Sequence, residues 1–396
     1  MKLFSAPLLL AASAAAADVM FTPVNDVTSH SKILLDVVEM QDLIDAGSKD
    51  EAMTIYTEGK YRKDKGKTVQ MMAQKDWVAA GLEDTTDNDN FASLFRQDHI
   101  DSTNTYLETY NMDAMNCDGS FANESEDMCK ISAKKNLICT ALSYSLYEGI
   151  SSIQYGNEKN WDELFAFWHG VYDETVDSRV GKGGPYGVQI SRDNDFQTDF
   201  HVQAMEAAID GQKAYKNGVL KDQEKLKDAY DSFAKANLAT FAQATIKYSK
   251  QFEDPENSAK QDNKWGEGYT YFRCGAGLMR GELASYIDWL LDPRKYDAAH
   301  ADRGTSNGNT VCKILKKMLS LPEIGQGIQV SDLNVEAYFP DIKEQCEIET
   351  FDHAEGAFFS SKKSGNVRTW IPVVSFILVC SIYVIGYFKI TRAKKE

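Results

Sequence analysis

Ile33, Leu34, Val37, Val38 and Ile44 recur at helical spacing and stop at Gly47, and a second amphipathic stretch over 52–56 stops at Gly59. Apolar residues three and four apart share one helix face, so the two stretches predict a helical hairpin. Further runs of the same period cover 91–110, 131–155, 161–172, 202–215, 223–252, 265–291 and 311–319. Prolines are scarce and sit at the edges of these runs, as at Pro185, Pro255, Pro293, Pro322 and Pro340. No strand-rich region stands out, and the expected class is mainly α.

The pattern also repeats at a constant offset with no gap. Leu142-Ser143-Tyr144-Ser145 matches Ile246-Lys247-Tyr248-Ser249, and Trp161-Asp162-Glu163 matches Trp265-Gly266-Glu267. Phe165, Phe167 and Trp168 then match Tyr269, Tyr271 and Phe272. Two related helical units, forming one bundle or two bundle-like lobes, are therefore expected.

The ends of the chain carry different signals. Lys2, an apolar stretch through Ala12 and the small residues Ala15-Ala16-Ala17 predict a signal peptide over 1–17. An uncharged apolar run over 370–388 is the length of one transmembrane helix, and Lys389, Arg392, Lys394 and Lys395 follow it in a tail over 389–396. The implied topology is single-pass type I, with an N-terminal lobe over 18–176, a Gly-rich linker over 177–195, a C-terminal lobe over 196–350 and a stalk over 351–369.

Composition sharpens this. The 396 residues carry 43 Lys+Arg against 59 Asp+Glu, a net charge of −16, and the cationic tail makes the exterior portion more acidic still. Such a surface repels phosphate and excludes nucleic acid as a partner, while 43% hydrophobic residues exclude a disordered chain. Six cysteines, Cys117, Cys129, Cys139, Cys274, Cys312 and Cys346, suit disulfides in a secreted region. Their connectivity is open; local bridging within 117–139 and within 274–346 would match two lobes. Asn123-Glu124-Ser125 is a glycosylation sequon at Asn123.

Candidate chemistry centres on the Trp-x-Glu helices. Residues four apart stack on one face, which pairs Glu163 with Phe167 and Glu267 with Tyr271. A carboxylate and a phenol one turn apart are two hard oxygen donors, the kind ferric iron prefers. The competing reading makes Asn160 an N-cap and Glu163 its capping-box partner. Arg273 is a candidate anion-binder, although on a regular helix it points well away from Tyr271. The six histidines are scattered, with no HExxH, and no nucleophile elbow, phosphate loop or Rossmann fingerprint appears, so no enzyme is expected. His201 lies in an acidic segment with Asp193, Asp195, Asp199 and Glu206 that reads either as a cation site or as a solvated loop.

Ser29-His30-Ser31, Leu35-Asp36-Val37, Met40, Ala46-Gly47, Ala52 and Ile55-Tyr56-Thr57-Glu58-Gly59 together resemble the start of the Fea-type iron-assimilation proteins of algae. The run from Trp161 through Gly170 is similar to that family's WDEAVAFxVG segment, departing at Trp168-His169. With its membrane anchor the chain resembles the phytotransferrins, iron-starvation-induced surface proteins of diatoms and related algae. The resemblance implies capture of Fe3+ at the plasma membrane with carbonate as synergistic anion, then endocytosis, with a surface reductase and endocytic machinery as partners. Glu163, Glu267, Tyr271, His30 and Asp36 are the candidate ligands, by their chemistry and by their place in the matching segments. The alternative is a protein-interaction or adhesion ectodomain without metal.

Overall fold

The structure is a computed structural model that describes residues 21–61, 67–74, 106–170, 183–292 and 310–351. The signal peptide, the stalk beyond 351, the span over 370–388 and the tail lie outside the described residues. Among the described residues no helix is long and apolar enough to cross a membrane.

The expected N-terminal hairpin is present, with α1 (Thr28–Ser31), α2 (Ile33–Asp45) and α3 (Lys49–Glu58); Gly47, between α2 and α3, and Gly59, after α3, have φ of 77° and 71°. A β-carbon is disfavoured in that backbone region, which is why glycine ends both helices. Asp36 closes the hairpin: its Oδ1 accepts from the backbone N–H groups of Lys60 and Tyr61 at 3.0 and 2.9 Å. Short α4 (Val69–Ala73) and α5 (Tyr106–Asn116) follow.

The repeat appears as two long-helix hairpins. In the first, α6 (Glu126–Tyr155) starts where the Ser125 hydroxyl accepts from Met128 N–H and stops at Gly156, whose φ is 64°. Asn157 then caps α7 (Glu158–His169) by accepting from Lys159 N–H. In the second, α10 (Gln223–Glu253) runs through a 3-10 turn, Pro255–Lys260, into α11 (Gln261–Ala276). Between them lie α8 (Pro185–Phe196), α9 (Phe200–Gln212) and a two-stranded hairpin, β1 (Tyr215–Lys216) with β2 (Val219–Leu220). After them come α12 (Gly281–Leu291), α13 (Thr310–Leu319), α14 (Val335–Tyr338) and α15 (Ile342–Cys346).

Two expectations change. The segment expected as a linker over 177–195 is helical from Pro185 onward, where proline at the first position presets φ and gives up an N–H that would be unpaired anyway; 177–182 lie outside the described residues. The single run expected over 265–291 is two helices. It breaks after Gly277, where Arg280 N–H leaves the helical ladder to donate to Ile324 O at 2.8 Å.

The repeats are not separate lobes. The described residues between 21 and 351 form one compact unit, and α6 lies against both its own partner α7 and α11 of the other repeat. The core that joins them is aromatic, with Trp161, Trp168, Phe165, Phe167, Phe233, Phe241 and Phe272 fully buried. The matched tryptophans do matched work. Trp161 Nε1 donates to Ala208 O of α9 at 2.8 Å, and Trp265 Nε1 to Leu291 O at the end of α12 at 2.7 Å. Each thereby ties its hairpin to a neighbouring helix without leaving an indole N–H unpaired.

The disulfides are Cys117–Cys129, Cys139–Cys274 and Cys312–Cys346. The first and third are local, as two lobes would require; the second corrects that picture, because it bridges α6 to α11 across 135 residues of sequence. Beside it Tyr110 Oη hydrogen-bonds Thr270 Oγ1 at 3.0 Å. A cross-link restricts the unfolded chain more as its loop lengthens, so replacing Cys139 and Cys274 by alanine should cost about 5 kcal/mol, against about 3 kcal/mol for Cys117 and Cys129. Urea unfolding of the two double variants measures both; equal losses would contradict the loop-length account.

Candidate functional site

Glu163 and Glu267 sit in helix interiors. The helix carrying Glu163 begins at Glu158 behind Asn157, so Asn160 is not its N-cap and Glu163 is not a capping-box residue. Both glutamates are buried, at 4% and 6% exposure, and a buried carboxylate has to be met by charge or hydrogen bonds. The structure meets each of them with lysines.

At the first cluster, His30 Nε2 lies 3.0 Å from Glu163 Oε1, Lys159 Nζ 3.2 Å from the same oxygen, and Lys67 Nζ 3.2 Å from Oε2. Lys67 also reaches Glu148 at 3.9 Å. Its ammonium stands 5.6 and 5.8 Å from the Tyr144 and Phe167 ring centres, and those rings meet edge to face at 4.8 Å. Burial by itself would push the Glu163 carboxyl up, but His30 and Lys67 outweigh it and hold the group well below the usual carboxylate range. The Tyr144 phenol moves the other way, raised by burial and by the carboxylates of Glu148 and Glu163.

The second cluster repeats this with different chemistry. Lys264 Nζ lies 2.9 Å from Glu267 Oε2, and Lys135 Nζ, from α6, lies 3.4 Å from Oε1. Tyr271 stands where the first cluster has Phe167. Its ring stacks on Tyr248 at 5.5 Å, and Lys135 lies 5.4 Å from its centre. Burial works against the Lys135 ammonium, yet Tyr271 and Glu267 raise its pKa overall. Burial chiefly raises the Tyr248 phenol.

The predicted site residues therefore fall into three places. His30 and Glu163 meet directly, and Glu267 and Tyr271 share the second cluster. Asp36 joins neither: it closes the α2–α3 hairpin and shares no ion pair or hydrogen bond with Glu163. Burial raises its pKa against the pull of the Tyr61 and Lys60 N–H groups. Arg273 lies elsewhere: its Nη1 donates to Tyr269 Oη at 2.6 Å and its guanidinium lies 4.6 Å from the Tyr110 ring centre. Tyr269 in turn donates to Asp288 at 3.1 Å. Asn123 is exposed, just before the Ser125 cap.

The acidic segment around His201 is also accounted for. Asp193 accepts from the His201 and Phe200 N–H groups at 2.7 and 3.0 Å, pairs with His201 Nδ1 at 2.6 Å, and so starts α9. Asp195 pairs with Arg192 and Lys247. Among the described residues no group of three or more His, Cys, Asp and Glu side chains is gathered to hold a metal ion. The lysines are what motif reasoning missed. Lys159 and Lys264 precede their glutamates by one helical turn and were within reach of it; Lys67 and Lys135 arrive through tertiary packing alone.

The fold and site define a class: a helical protein built on a duplicated hairpin, each copy burying one glutamate between lysines and an aromatic pair. Residues 5–182 match the family described as Fea1, low iron-inducible periplasmic protein, and the match supports a Fea-type iron-starvation protein. No curated protein matches the chain, and no solved structure does.

The ion pairing at Glu163 has a pH signature. A depressed folded-state pKa contributes stability that is complete above the ordinary carboxylate range and is lost as pH falls through it toward the folded value. Glu163→Gln should therefore cost about 1–3 kcal/mol at pH 7, because it leaves His30 and Lys67 facing a neutral group, and the deficit should shrink by pH 3. Urea unfolding of wild type and variant at the two pH values checks this. A deficit that grows on acidification would overturn the charge assignment.

Proposed function

We propose that this protein binds ferric iron at the cell surface for uptake, taking Fe3+ together with carbonate and entering the cell by endocytosis, as a carrier rather than an enzyme. The observation that carries the proposal is the second cluster. Glu267 and Tyr271 lie one turn apart on α11, and Tyr248 stacks on Tyr271 at 5.5 Å. One carboxylate and two phenols are anionic hard-oxygen donors when deprotonated, a set that suits a small trivalent ion better than zinc or calcium. The match of residues 5–182 to a low-iron-inducible family supports the same direction.

Iron entering this cluster has to compete with Lys135 and Lys264 for Glu267, so binding involves turning those ammonium groups away from the carboxylate. Carbonate then has a stated part: it supplies negative charge to the cations that the metal frees. His30 and Glu163 at the first cluster offer one nitrogen and one carboxylate, with Phe167 in place of a second phenol.

One observation favours the alternative, an interaction or adhesion ectodomain in which the repeat is architectural. Both glutamates already have cationic partners within 3.4 Å, so neither needs a metal to be stable. Titration of Fe3+ into the purified protein separates the two readings. Ferric capture should give a visible tyrosinate-to-iron charge-transfer band that requires bicarbonate, falls at least tenfold in Tyr271→Phe and is absent in Glu267→Ala. No band and no stoichiometric iron would leave the metal-free reading.

A further inference from the structure

The sequon at Asn123 lies in a segment that the fold closes from both sides. An oligosaccharyl transferase reads an asparagine amide together with the hydroxyl two residues on, here Asn123 and Ser125. Both residues are exposed, so the surface has room for a glycan.

The backbone around them is nevertheless fixed. Upstream, Phe121 is 2% exposed and meets the Tyr110 ring edge to face at 5.0 Å, while Ser120 N–H donates to Asp113 Oδ2 at 2.9 Å. Inside the sequon, Glu124 N–H donates to Phe121 O at 3.0 Å. Downstream, the Ser125 hydroxyl accepts from Met128 N–H at 3.2 Å and so starts α6. The disulfide between Cys117 and Cys129, 12 residues apart, encloses the whole segment.

Folding and modification therefore need the same hydroxyl in different settings. A transferase takes its acceptor as an accessible, extended segment, whereas the folded chain commits Ser125 to the helix cap and Glu124 to a turn, and anchors Phe121 in the core. The order of synthesis resolves the conflict. Asn123 precedes Cys129 and all of α6, so it emerges before either closure can form, and making the 30 residues of α6 leaves a window on the order of seconds. Residues 1–17 carry a secretory signal, and three disulfides suit the same oxidising compartment, which is where the transferase works.

We propose that Asn123 carries an N-linked oligosaccharide, added during synthesis, before Ser125 caps α6 and Cys117 joins Cys129, and that the folded protein no longer accepts it. In the transfer, the Asn123 amide nitrogen bonds to the first sugar carbon of a lipid-diphosphate-linked oligosaccharide. The bond from that carbon to the diphosphate oxygen breaks, the lipid diphosphate leaves, and the amide gives one proton to a base of the transferase.

The site is tested by intact mass of the full-length protein from a eukaryotic secretory host, before and after peptide N-glycanase. A well-glycosylated secreted protein in the same host reports an active transferase. The enzyme should remove a glycan and leave aspartate at 123, and Asn123→Gln and Ser125→Asp should each abolish the modification. Aspartate still caps a helix, so thermal unfolding of Ser125→Asp beside Ser125→Ala separates the loss of the glycan from the loss of the cap. The order is tested with unglycosylated protein from bacteria, offered to microsomes with lipid-linked donor. The reduced, alkylated chain should be modified at least tenfold more than the folded, disulfide-bonded one. No glycan on the secreted wild type, a glycan that persists in Asn123→Gln or Ser125→Asp, or equal modification of folded and reduced chains would overturn the proposal. Iron takes no part in any of these measurements, so their outcome is independent of ferric capture.

Discussion

A carboxylate buried on a helix of a packed core is the constraint around which the rest of this structure is arranged. Glu163 and Glu267 each hold one, and an ion moved out of water costs several kcal/mol unless its partners restore what water gave. The partners must come from outside the helix as well as from it, because a residue one turn away reaches only one carboxylate oxygen. Lys159 and Lys264 are the intrahelical partners; Lys67 and Lys135 are the external ones. Meeting that need brings the segment before α4 against α7, and α6 against α11. The repeats are thus held together partly by the charges they bury.

This explains why the long helix α6 belongs to both halves. Its later part carries Tyr144 and Glu148 to the first cluster, and its earlier part carries Lys135 to the second. Cys139 lies between them and is bonded to Cys274, so the covalent tie falls midway along the helix that both clusters share. A shift of α6 along its axis would disturb both glutamates together. Coupling between the clusters has a physical route in that one rigid element.

Much of this was legible in the sequence because helical period and terminating glycines are local properties. The hairpin ending at Gly47 and Gly59, the repeated Trp-x-Glu helices and the pairing of Glu267 with Tyr271 all follow from spacing within one helix. What spacing alone leaves out has a common cause. Asp36 has the right chemistry for a ligand but is drawn to the Lys60 and Tyr61 N–H groups by the fold of the hairpin, and Arg273 is drawn to Tyr269 and Tyr110. The helix over Pro185–Phe196 was obscured by the glycines that precede it. Lys67 and Lys135 bear no fixed spacing to the residues they serve, so no motif could have announced them.

The two matched clusters differ in electrostatic character on the same scaffold. Replacing a carboxylate by Phe252 and a phenyl by Tyr271 changes three things together at the second copy: it removes a fixed negative charge, adds an ionisable oxygen and leaves the local cations in excess. The exchanges at 252 and 271 thus alter charge and donor type at the same place. At the first copy Glu148 and Glu163 oppose ionisation of Tyr144, and Phe167 offers no oxygen at all. If hard-oxygen chemistry is to be done anywhere on this scaffold, the second copy is where a carboxylate and two phenols come together, while the first copy, its charges matched by Lys67, Lys159 and His30, is better suited to fixing the fold.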